Sequence, residues 1–109
     1  MKKSEQNLKA VAGHVRYQAA LKFIRLLGGP QAANEVITAG HAYLCVNWST
    51  FPINVRFYFG KVAGVDPLLI GRYWSHMEPS IHDTIVEELG RACHIAFEII
   101  DHPPVTRAA

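Results

Sequence analysis

The stretch between Pro79 and the His102-Pro103-Pro104 stop constrains this chain most. Ile81, Ile85, Leu89, Ala92, Ala96 and Ile99 recur at three- and four-residue steps, the spacing that lines one face of an α-helix. Val86, Cys93, Phe97 and Ile100 widen the stripe, and by the last two turns most of the circumference is apolar. Such a helix has to be covered on more than one side. A chain of 109 residues makes one domain, not two, and has little other protein to do the covering. The pattern therefore points to a partner or a dimer contact. Pro79 in the first turn, and Ser80 with Asp83 in a Ser-x-x-Asp capping arrangement, place this helix at about Ser80 to Asp101.

A second long helix is predicted from about Gln6 to Leu27. Leu8, Val11, Ala12, Val15, Ala19, Phe23 and Leu26 form its stripe, with Lys9, Arg16 and Arg25 on other faces. Gly28-Gly29-Pro30 ends it, because Gly takes the left-handed cap and Pro cannot continue a helix. Gly13 is either a weak point of about 1 kcal/mol relative to Ala or a place where a neighbour comes close. Residues 1–102 read as a single globular domain and 103–109 as a flexible tail. The polar start Met1-Lys2-Lys3-Ser4-Glu5-Gln6-Asn7 is followed by no apolar signal core. No run approaches the ~18 apolar residues of a membrane span. Cys45 and Cys93 sit in apolar stretches and read as two buried free thiols. The expected location is cytoplasmic.

Residues 31–77 satisfy two periods at once. Ala42, Leu44, Val46 and Trp48 alternate with His41, Tyr43, Cys45 and Asn47, and Ile53, Val55, Phe57 and Phe59 alternate with Asn54, Arg56 and Tyr58. Read that way, 41–60 is a β-hairpin connected by Ser49-Thr50-Phe51-Pro52. Yet Ala33, Ile37, Gly40, Leu44 and Trp48 also fit a helix, as do Val55, Phe59 and Val62. The favoured fold class is mainly α: a small helical domain with long first and last helices and a candidate central helix-turn-helix. The alternative is α+β with the central hairpin at about 41–60.

The segment Phe59 to Trp74 resembles the helix-turn-helix core of bacterial repressors over 16 residues. Gly60 supplies the small residue where two helices cross, Gly64 the turn, and Val65 the apolar pin. Asp66-Pro67 supplies the cap and first turn of a recognition helix, with Ile70 and Tyr73 facing inward. The resemblance implies a DNA-binding transcriptional regulator using Lys61, Leu68, Leu69 and Arg72. Of the outward positions Leu68, Leu69, Gly71 and Arg72, only Arg72 can make a bidentate contact to guanine or reach a phosphate, and Asp66 and Glu78 flank it.

The formal charge of +2 conceals a split. Residues 1–61 carry eight Lys/Arg against two Asp/Glu, a balance of +6, and residues 62–109 carry three against seven, a balance of −4. Two readings follow: the basic first helix faces the acidic last helix, within one chain or across a two-fold axis, or the basic face meets an acidic partner.

Six histidines invite a search for chemistry. His94, Glu98 and His102 share a helix face, but the outer pair is separated by about 12 Å of rise, too far for one metal ion. Ser80, His82 and Asp83 are the right types for a nucleophile, base and orienter, but a triad needs spatial convergence. No metal site, cofactor or enzymatic activity is expected. The leading functional reading is a small regulator that binds protein, with itself as a homodimer partner. Its expected contact residues are Trp48, Tyr58, Tyr73, Trp74, Phe97 and Ile100. The alternatives are the DNA-binding regulator and an α+β dimer holding a small molecule in an aromatic pocket.

Overall fold

The computed structural model describes residues 2–104, with side chains from residue 12 onward. Four α-helices carry the chain: α1 (Lys2–Leu27), α2 (Pro30–Asn47), α3 (Ile53–Val62) and α4 (Pro79–Asp101). Three-residue 3-10 turns follow at Trp48–Thr50, Pro67–Leu69 and Trp74–His76. The mainly helical class with long first and last helices holds. Of the tail predicted for 103–109, residues 105–109 lie outside the described residues.

The Gly28-Gly29-Pro30 sequence both ends one helix and starts the next. Gly28 (φ 124°) and Gly29 (φ 105°) take left-handed conformations. The Gly29 amide donates to Ile24 O at 2.9 Å and the Gly28 amide to Arg25 O at 3.1 Å, the paired bonds that close a helix C-terminus. Pro30 then opens α2, where its missing N–H costs nothing. The Tyr43 hydroxyl donates to Leu27 O at 2.6 Å and pins this corner.

The hairpin alternative is overturned: residues 41–48 and 53–60 lie in helices. The physical reason is the burial pattern. A strand would bury Leu44, Val46 and Trp48 together, but Val46 is 72% exposed. Val36, Gly40, Leu44 and Trp48, four residues apart, form the inward line. Likewise Val55 and Phe59 are buried while Ile53 and Phe57 face out. The α+β fold on which the small-molecule reading was built falls with the hairpin.

Helix α4 is the spine. Ile85, Leu89, Cys93 and Ala96 are buried along it, and α1, α2 and α3 all pack against it. At the α2–α4 crossing, α2 is kinked: Ala39 has φ −146° and ψ 49°. Gly40 follows at the point of closest approach, where an added Cβ would lie 2.7 Å from Cγ1 of Val86. At its start, α4 is preceded by Glu78 with no side-chain cap, so the predicted Ser80–Asp83 capping box does not form. Gly13 meets no helix; its nearest neighbour is Pro104, 3.6 Å from an added Cβ.

The turn of the repressor-like segment forms and its second helix does not. Gly64 (φ 74°) closes α3, with its amide donating to Lys61 O and that of Val65 to Gly60 O. Asp66 caps as expected, accepting from the Leu68 amide at 2.9 Å. The helix then stops after one 3-10 turn, and Ile70 is extended. Ile70 drops back onto Gly60, where an added Cβ would lie 2.7 Å from Cδ1 of Ile70. Gly60 thus serves a loop side chain, not a crossing helix. Three side chains then hold the carbonyls of the following strap. Trp48 Nε1 donates to Gly71 O at 2.8 Å, and Arg56 Nη1 to Arg72 O at 2.9 Å. His82 Nε2 bonds to Trp74 O. A carbonyl only accepts, so that bond places a proton on Nε2.

Candidate interaction surface

The six expected contact residues separate into core and surface. Trp48 and Trp74 are buried and do not belong to a contact surface. Their rings meet edge-on at 5.6 Å within an aromatic core that includes Phe51 and Phe59. His82 stacks on Trp74 at 4.2 Å and an interplanar angle of 10°. Aromatic abundance in sequence marked these residues, but their indoles fill the space between α2, the strap and α4. Tyr73 is exposed on the strap, with the Arg72 guanidinium 5.3 Å from its ring centroid and His76 5.0 Å away.

Tyr58, Phe97 and Ile100 do reach surface grooves, on opposite flanks of the α1–α4 contact. On one flank, an apolar trough of about 280 Å³ is floored by Phe23 and Ala96 and walled by Tyr58, Val62, Ile95 and Ile99. The Lys22 ammonium lies 5.8 Å from the Tyr58 ring centroid at this side, and burial pushes the Tyr58 hydroxyl pKa up. On the other flank, Phe97 and Ile100 line a groove of about 470 Å³ with Leu21, Ile24 and the Gly28–Pro30 corner. The apolar trough adjoins a more polar hollow of about 480 Å³ that shares Arg16, Ile95 and Ile99 and adds Glu98 and His102. Arg16 and Ile95 were not singled out as contact residues from sequence. Ile95 precedes Ile99 by four residues, and that spacing was the available signal.

A separate apolar corner lies where α3 meets the Gly64 turn and the start of the Pro67–Leu69 3-10 turn. Phe57, Lys61, Val65 and Pro67 line a hollow there, and Leu68 beside it is 92% exposed. Lys61, Leu68, Leu69 and Arg72, the expected DNA contacts, are all exposed but share no helix. A 3-10 turn of three residues rises about 6 Å, too short an element to track a major groove.

Among the described residues, ion pairs within the chain do not account for the charge split. Among the described residues, no ion pair joins α1 to α4. The pairs that form are Arg91 with Glu87 and Glu88, and His41 with Asp83, each at 3.3 Å. Asp83 therefore faces His41 while His82 turns to Trp74, so Ser80, His82 and Asp83 do not converge. Among the described residues, no cluster of three or more His, Cys, Asp or Glu could hold a metal ion, and no helix is long and apolar enough to cross a membrane. Cys45 is exposed, against expectation. Cys93 is buried, and burial pushes its thiol pKa up to about 12. Comparison with known protein families, curated proteins and solved structures gives no match.

Proposed function

We propose that this chain is a non-enzymatic regulatory protein that works by binding protein, and that it does so as a homodimer. The observation that carries this reading is the unfinished burial of the C-terminal half of α4, open to an apolar groove on each flank.

The side chains that could have served chemistry have structural work instead. His82 and Arg56 hold the strap, and Asp83 pairs with His41. That supports binding over catalysis. Sedimentation velocity over a wide concentration range tests the reading. The expected result is a species of twice 12.1 kDa that dissociates only on dilution. A particle of single-chain mass at every concentration overturns it.

A further inference from the structure

We infer that the outer edge of the strap between Ile70 and Met77 is a binding site for a phosphate group, held by the backbone amides of Arg72, Tyr73 and Ser75 and by the Arg72 guanidinium. The directions of the peptide units carry this. Among the described residues no peptide bond is cis, and a trans peptide points its C=O and its N–H in opposite directions. The carbonyls of Gly71, Arg72 and Trp74 point to Trp48 Nε1, Arg56 Nη1 and His82 Nε2. The amides that share those three peptide units belong to Arg72, Tyr73 and Ser75, so their N–H groups point away from the three inner donors. All three residues are exposed. Among the described residues, none of these amides has an acceptor.

The charges at the strap have the sign that an anion requires. Arg56 is 8% exposed, the one buried charged side chain among the described residues. Its guanidinium cannot give up its proton. It bonds to Arg72 O and, among the described residues, pairs with no carboxylate. A buried cation without a counter-ion is costly, and an anion on the outer side of the same peptide unit supplies counter-charge. The peptide dipoles between the two run with their positive ends outward, as in backbone anion sites. In front stands Arg72, whose guanidinium lies 5.3 Å from the Tyr73 ring centroid and is likewise without an ion pair among the described residues. A guanidinium matches phosphate oxygens in a bidentate fork. The acids nearest in sequence are Asp66 and Glu78. Asp66 turns a carboxylate oxygen to the Leu68 amide, and Glu78 precedes the first turn of α4. Among the described residues, neither bonds to the strap amides or to the two arginines.

The site is independent of the dimer and is tested on its own terms. Inorganic phosphate is titrated into the isotope-labelled full chain at constant ionic strength and followed by amide NMR. The resonances of Arg72, Tyr73 and Ser75 are expected to shift along one saturating curve, and chloride at equal ionic strength to leave them in place. Arg72→Ala is expected to weaken binding roughly tenfold with an unchanged far-UV spectrum, since its side chain lies outside the core. Arg56→Gln keeps a donor for Arg72 O and removes the charge. It is expected to weaken binding while the strap resonances without phosphate stay near their wild-type positions; where it disturbs the strap, Arg72→Ala decides. Shifts that never saturate, that chloride reproduces or that Arg72→Ala leaves at full strength overturn the inference. So does saturation centred on other residues. A duplex oligonucleotide that shifts the strap amides where inorganic phosphate does not also overturns it, in favour of a polyanion surface.

Discussion

The indole nitrogen of Trp48 donates to the carbonyl of Gly71 at 2.8 Å, joining the end of α2 to a strap 23 positions further along the chain. The ring itself is fully buried. Trp48→Phe removes the donor, strands a part-buried carbonyl and leaves a gap beside Trp74. The expected cost is about 1–3 kcal/mol. Urea denaturation should show a lower midpoint with an unchanged slope.

Two glycines in helices should respond in opposite directions to the same substitution. Gly40→Ala places a methyl 2.7 Å from Val86 Cγ1, and the clash, about 1–3 kcal/mol, outweighs the helix-propensity gain of about 1 kcal/mol. Gly90 has nothing within 4 Å of an added Cβ, so Gly90→Ala should stabilise by about 0.5–1 kcal/mol. Thermal melts of the two variants check the sign of each. Adding Val86→Ala to Gly40→Ala should recover part of the loss, and a strictly additive double mutant would show that the contact is not the cause.

The two thiols should react at different rates. Cys45 is exposed and Cys93 buried. A chromogenic disulfide reagent should titrate one thiol in the native protein and both in urea. Two fast thiols under native conditions would mean that α4 opens far more readily than its packing indicates.

Stability should fall on the alkaline side. The Cys93 thiol is raised from 9.0 to about 12 by burial, so the folded state holds its proton where the unfolded state releases it. Below pH 9 both states are protonated and the contribution is fully present. It is lost as pH rises from about 9 through about 12. Tyr58, raised by burial, and Tyr43, raised by burial and then by Glu35, act in the same direction above pH 10. Cys93→Ala should flatten the lower part of that decline when chemical denaturation is repeated across the range.

The long helices were legible as helices, and in α4 the period also marked the buried line, Ile85, Leu89, Cys93 and Ala96; in α1 the expected stripe was misplaced, since Ala12, Val15 and Ala19 are exposed and the buried line is Ala20, Phe23, Ile24 and Leu27. The middle was not, because apolar and aromatic residues occupy positions of both periods. What decided between them was which of Leu44, Val46 and Trp48 the rest of the chain covers, and that is a tertiary fact. The glycines held the missing signal. Gly40 and Gly60 sit where Val86 and Ile70 press closest, yet sequence shows only that the space exists, not what fills it. The turn at Gly64 and the cap at Asp66 are local and were read correctly. The absent second helix depends on Trp48 and Arg56, distant in sequence from the carbonyls they hold. The surface was half legible: apolar excess pointed to Tyr58, Phe97 and Ile100, but nothing in it separates a tryptophan that faces a partner from one that faces the core.

The strap from Ile70 to Met77 offers mainly carbonyl oxygens to the bonds that hold it, and every amino acid has one. The donors stand at Trp48, Arg56 and His82, on or beside the helices. The instructions for the path of this loop are thus written outside the loop. As far as that path is concerned, its exposed residues, Arg72, Tyr73, Ser75 and His76, are free to drift, whereas Trp74 and Met77 are tied to the core, and a change at any one of three remote positions loosens the hold on the segment.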